Sequence, residues 1–159
     1  MADTPNLGQK FNLITLFDVF NQAPVGDRAT LLHKFKETLQ PDGFLVMREP
    51  AMKIASGRHD IDVNIQERFE KKTMQKLLED AGFEVLYNEY MNSLLFVPIV
   101  LARKIGALMN AEGKSDVTEH NLLSNAFLLT LLRLEKVLFS LGIKFPFGVS
   151  LFTIARKNT

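Results

Sequence analysis

Apolar runs and polar breaks alternate along the first fifty residues as in a strand–helix–strand unit. Phe11 to Phe20 is almost continuously apolar, through Leu13, Ile14, Leu16, Phe17, Val19 and Phe20. Such a run predicts a strand covered on both faces, as in a parallel sheet. Pro24-Val25-Gly26 breaks it, and Asp27 stands where a helix N-cap belongs. Leu31, Leu32, Phe35 and Leu39 then recur at helical spacing, with Lys34, Lys36 and Glu37 turned outward. Gln40-Pro41-Asp42-Gly43 is a stop-and-turn signal, and Phe44 to Met47 reads as a second buried strand. A helical crossover makes the two strands parallel and the connection right-handed.

Pro50 to Gln66 has no clean period and predicts a loop at the carboxyl end of the second strand. Phe69 to Ala81 predicts a helix whose apolar stripe is Phe69, Met74, Leu77, Leu78 and Ala81, with Gly82 as its C′ residue. Phe83 to Tyr90 alternates like a half-exposed strand. Ser93 to Met109 reads as an apolar helix and Asn110 to Asn121 as a polar loop. Leu122 to Leu141 is a long helix whose leucines, from Leu128 to Leu141, cover more than one stripe. Pro146-Phe147-Gly148 turns the chain into a last strand, Val149 to Ala155. The expected organisation is one domain over 1–159. It has a core at 11–92, a helical insertion at 93–145 acting as lid or interface, and a final strand within 146–157.

Composition narrows the picture. The 159 residues are 47% apolar and 23% charged with a net charge of +1, ordinary for a soluble globular domain. No basic excess points to nucleic acid. There is no cysteine, which excludes disulfides, thiolate nucleophiles and Cys-based zinc sites. Met1 to Asn6 shows no basic region leading into an apolar run, so a cytoplasmic protein is expected. Leu94 to Ala102, the longest apolar stretch, is too short for a membrane span and contains Pro98. Arg133, Glu135 and Lys136 form no consistently basic face, which argues against attachment to a membrane surface. His33, His59 and His120 are scattered, without i, i+4 partners, so no metal site is expected.

Read in order, these segments resemble the second half of a class I S-adenosylmethionine-dependent methyltransferase. The likeness rests on Phe11-Asn12-Leu13-Ile14 through Asp18-Val19-Phe20-Asn21-Gln22-Ala23-Pro24 and on Leu39-Gln40-Pro41-Asp42-Gly43. It continues in Leu77 to Leu86 and in Pro146 to Lys157, and so covers nearly the whole chain. The resemblance implies a Rossmann-like α/β fold whose complete sheet has strand order 3-2-1-4-5-7-6 with an antiparallel final strand. This chain is similar to strands 4 to 7 of that sheet, with an added helical pair. The family grips its cofactor at a glycine-rich turn after strand 1, where backbone must approach closely. No two of the nine glycines here are nearer than six positions apart, and no G-x-G occurs. The resemblance therefore implies a half-domain without that turn, with no cofactor for the isolated chain and S-adenosylmethionine only if another chain completes it.

In the complete fold strand 4 is flanked on both sides, so one edge of Phe11–Phe20 is expected to be bare. A long apolar edge is a pairing template. The expectation is a homodimer or a complementary subunit meeting Phe11, Leu13, Ile14, Leu16, Phe17 and Val19. The alternative is cover from the first ten residues or the Ser93–Leu141 helices. Asp18, Asn21 and Gln22 end the first strand, and the resemblance places them beside cofactor and substrate; the family's Glu-His pair is Asn21-Gln22 here, which removes a general base. Arg58 and His59 follow the second strand, where an arginine can fix an anion and a histidine can move protons. A solvated loop is the plainer reading of both groups. Arg48 and Glu49 are expected to pair with each other or with the loop. A non-enzymatic binding module, with an apolar pocket between the helical pair and the sheet, is the alternative function.

Overall fold

In a computed structural model of the chain, residues 9–108 and 122–158 are described. Four strands form one sheet: β1 (Phe11–Phe17), β2 (Leu39–Pro50), β3 (Phe83–Met91) and β4 (Ser150–Lys157). Their spatial order is β1-β2-β4-β3. β1 and β2 run parallel, and β4 runs antiparallel to both β2 and β3. This is the 4-5-7-6 order, with its antiparallel final strand, that the resemblance implies. The helices are α1 (Arg28–Thr38), α2 (Arg58–Asp62), α3 (Lys71–Asp80), α4 (Ser93–Leu108) and α5 (Leu122–Ser140).

The period-2 pattern of the strands splits the sheet into two unlike faces. Leu45, Met47, Leu151, Ala155 and Phe83 point to one face and are buried against Leu32 and Phe35 of α1 and Met74 and Leu78 of α3. Burying each such large side chain contributes about 1.5–3 kcal/mol. The start of α3 is pinned by β3: Tyr90 Oη donates to Glu70 at 2.8 Å and Asn88 Nδ2 donates to the Lys71 carbonyl at 3.0 Å. On the other face α5 lies over β3 and β4, but Leu13, Phe17 and Phe44 of β1 and β2 stay exposed.

Four local departures from the sequence pattern have physical causes. β1 stops at Phe17, not Phe20, because Asp18 takes a left-handed φ of 57° and Phe20–Gln22 coil into a 3-10 turn. Phe20 leaves the sheet to stack on Phe69, ring centroids 5.7 Å apart. Gln40–Gly43 does not separate helix from strand. It lies inside β2 as a bulge, with the register slipping from Phe11↔Leu39 to Leu13↔Phe44. Asp27 occupies the N-cap position of α1 but makes no side-chain capping bond. Finally, α2 forms within the segment read as loop. Gly82, at φ 82°, closes α3 as its C′ residue, as its position predicts. His33 is exposed; His120 and the whole of the predicted polar loop, 110–121, fall outside the described residues.

Candidate functional site

The carboxyl end of a parallel strand pair is where such sheets open to ligands, because helix and loop connections diverge there. In this chain a cavity of about 500 Å³ opens at that end. Asp18 and Gln22 line it from the end of β1, Pro50 from the end of β2, and Val149 and Ser150 from the start of β4. Ile65 and Arg68 close one side, and Ile99 and Arg103 reach in from α4. α4 thus contributes a wall to the crevice.

Beneath the crevice lies a buried carboxylate. Glu49, near the end of β2, has no exposure. Its Oε1 accepts the Phe20 backbone N–H at 2.9 Å, and its Oε2 accepts the Asn21 backbone N–H at 2.9 Å and Asn21 Nδ2 at 3.0 Å. Burial pushes the Glu49 carboxyl above its ordinary value, and the hydrogen bonds from Asn21 and the Phe20–Asn21 backbone oppose that rise. The expected pairing of Arg48 with Glu49 is not made. Strand alternation sends them to opposite faces, so Glu49 serves the turn while Arg48 ion-pairs with Asp18.

The five predicted site residues are therefore sorted by the fold. Asp18 and Gln22 face the crevice, with Gln22 Nε2 donating to the Asp18 carbonyl at 3.4 Å. Asn21 is fully buried and braces Glu49, one layer below. Arg58 and His59 begin α2; their side chains lie outside the described set. Two arginines that sequence reasoning passed over stand in the crevice instead. Arg68 is buried and bidentate on Asp60, at 2.7 and 2.6 Å, and also donates to the Ala51 carbonyl at 3.1 Å. Arg103 donates to the Ala55 carbonyl and lies 3.9 Å from Asp60. The Arg103-Lys104 pair, which ends the apolar run Leu94 to Ala102, is the signal that could have drawn attention to Arg103. Arg68 had none beyond its place beside a buried phenylalanine.

Among the described residues β1 pairs with β2 alone. Leu13, Phe17 and Val19 are 52%, 51% and 55% exposed. Phe11 is half-buried, and Ile14 and Leu16 turn the other way, packing against the core. The helices α4 and α5 pack chiefly on one another and, through α4, on the Lys53–Ala55 turn.

A second cavity, of about 350 Å³, lies between α5 and the sheet. Tyr87, Met91, Phe152 and Ile154 form its floor, and Leu132 and Phe139 its roof. Asn92, Glu135 and Lys136 supply its polar groups. A pocket of this size and lining suits a small apolar ligand.

No family model matches the chain, and no curated protein matches it. The fold, however, is shared with solved methyltransferase structures. A SAM-dependent methyltransferase from Archaeoglobus fulgidus superposes with a TM-score of 0.54 at 13% identity, over 94% of this chain and 60% of that one. A complex between the Haloferax volcanii Trm112 methyltransferase activator and a protein assigned as a methyltransferase gives 0.53 at 16%, over 95% and 55%. The 4+2 cyclase SpnF gives 0.50 at 14%, over 95% and 51%. The chain has a methyltransferase-like, Rossmann-like α/β fold and spans about half the length of these neighbours.

S-adenosylmethionine is the cofactor this fold implies, and the described residues do not fit the whole of it. The described glycines with left-handed φ, Gly82 and Gly142, follow α3 and α5 and lie outside the crevice lining. The crevice carboxylate, Asp18, is already ion-paired with Arg48. Asp18 and Gln22 offer one wall for a nucleoside, and no step of methyl transfer can be derived from these residues.

Proposed function

We propose that this chain is a methyltransferase-like half-domain that does not transfer a methyl group alone and whose open β1 edge is completed by another chain. The carrying observation is β1 itself, which among the described residues pairs with β2 alone and leaves Leu13 and Phe17 exposed, with Val19 exposed just beyond it. Its free N–H and C=O groups need a partner of the same kind. A second copy pairing through a twofold axis is the simplest source; a subunit carrying the cofactor-gripping half is the other. Neighbours about twice as long support the idea that the sheet continues past β1. Completed in this way, Asp18 and Gln22 would sit beside S-adenosylmethionine, with Arg68 and Arg103 across the crevice to orient an anionic substrate. Arg58 and His59, on α2, remain candidates for substrate contact. Catalysis would then rest mainly on positioning donor against acceptor.

Light scattering at micromolar concentration, paired with calorimetric titration of S-adenosylmethionine, tests this reading. The expected results are a dimer mass and no cofactor binding by the chain alone. A well-behaved monomer ends the edge-pairing claim, and micromolar cofactor affinity of the single chain ends the claim of an incomplete site.

The second cavity favours one other reading, a non-enzymatic binding module. The 4+2 cyclase neighbour illustrates that this fold is not tied to one chemistry. An apolar dye displaced from the Tyr87–Phe152 pocket, and lost in Phe139→Glu, would support that reading.

A further inference from the structure

The helical pair exposes apolar side chains that a folded monomer normally hides. On α4, Val97, Leu101 and Ile105 recur at i, i+4, i+8 and are each about half exposed. On α5, Phe127, Leu134, Val137 and Leu141 are exposed and fall within about 80° of one another at 3.6 residues per turn. Neither stripe meets the sheet; the inward side of α5 carries Leu131, Glu135, Leu138 and Phe139.

Charge around these stripes is one-sided. Along the sequence, Glu135 interrupts the basic residues Arg133 and Lys136. In the fold Glu135 turns inward, 4% exposed, and accepts the Leu94 backbone N–H at 3.1 Å at the start of α4. What α4, α5 and the following turn leave exposed is Lys104, Arg133, Lys136 and Lys144, with no exposed acid among the described residues of that pair. Lys144 pairs with Glu89 of β3 at 2.8 Å; Lys104, Arg133 and Lys136 make no ion pair among the described residues. The mixed-charge objection to a membrane surface, read from sequence, is thus removed by the burial of one residue.

We propose that α4 and α5 lie on the surface of an anionic lipid bilayer, with Val97, Leu101, Phe127, Leu134 and Leu141 entering the headgroup–acyl boundary and Lys104 and Arg133, which flank the two stripes, meeting lipid phosphates. Apolar stripes flanked by lysine and arginine are what interfacial helices present. Among the described residues no helix is long and apolar enough to cross a membrane; α4 spans only about 24 Å at 1.5 Å per residue, which suits lying in the plane. Charge decides between a bilayer and a second copy of this chain. A twofold contact through the same patch would set Lys104 and Arg133 against their own images, whereas anionic headgroups neutralise them.

Flotation of the full chain with phosphatidylcholine vesicles, and with vesicles of equal phosphatidylcholine and phosphatidylglycerol, tests this. Binding is expected on the anionic vesicles and to weaken with salt. Each basic residue near the surface contributes about fivefold, so Lys104→Ser with Arg133→Ser should weaken binding by roughly thirtyfold. Leu134→Ser with Leu141→Ser, at exposed positions the fold does not need, should abolish flotation while circular dichroism keeps its helical signal. The proposal is overturned by equal binding to neutral vesicles or by no flotation. It is equally overturned if the leucine variant changes only the mass of the free protein, which would mark a protein interface. These readouts do not involve β1, so failure here leaves the sheet-edge reading untouched, and the converse holds.

Discussion

Glu49 is enclosed by the donors it serves, and its neighbours set how it titrates. Its folded-state value is raised above the ordinary 4.5 by burial. The folded chain therefore holds this proton more tightly than the unfolded chain, so the group's contribution is full below 4.5 and lost as pH rises through the raised value. Urea midpoints measured across mildly acid to neutral pH should show that decline, and Glu49→Gln should flatten it. Arg68 and Asp60 form a second buried unit. Arg68→Met leaves Asp60 with only the more distant Arg103 and strands the Ala51 carbonyl, so a loss of about 3 kcal/mol in unfolding free energy is expected. Asp60→Asn in the same chain should recover part of it. A stability unchanged by Arg68→Met would show that the pair is not closed from water. Both units were hard to read in sequence, because Glu49, Asp60 and Arg68 acquire their partners at sequence separations of 28, 8 and 17.

At the scale of elements, Gly148 decides how the last turn enters β4. A Cβ there would meet the Met91 carbonyl oxygen at 2.5 Å and Tyr90 Cβ at 3.0 Å. Backbone cannot yield as a flexible side chain can, so Gly148→Ala should cost about 1–3 kcal/mol, read as a lower thermal midpoint. Strands and long helices were legible because their apolar periods are set by backbone geometry. The strand alternation of Phe83 to Tyr90 and the C′ glycine at 82 both lie where the pattern put them. The end of β1 was not legible: Phe20 is equally apolar in a strand or tucked beneath a turn, and only contact with Phe69 and Glu49 separates the two. The bulge at Pro41-Asp42-Gly43 was read as a boundary for a like reason, since turn residues mark a local bend whether or not the ladder continues through it.

For the whole molecule the open edge has a consequence that stability measurements can see. If copies pair through β1, the thermal midpoint should rise with protein concentration, because association draws on the folded state. Leu13→Lys with Phe17→Lys, both at exposed positions, should weaken self-association at least tenfold, about 1.4 kcal/mol, and remove that concentration dependence. Sedimentation velocity measures both. An unaltered association constant would move the contact elsewhere on the molecule.

The succession of apolar periods was enough to establish an α/β fold with a parallel first strand pair, because strand and helix repeats and the handedness of their connections are local, short-range physics; the order 4-5-7-6 was what the resemblance implied. Which polar groups meet was settled only by folding. Arg103 arrives at Asp60 from another helix, Asn21 goes beneath the crevice while Asp18 and Gln22 line it, and Glu135 leaves the surface so that, among the described residues, the helical pair exposes positive charge alone. These outcomes depend on desolvation and on contacts between distant segments, and a linear pattern of residue types carries neither.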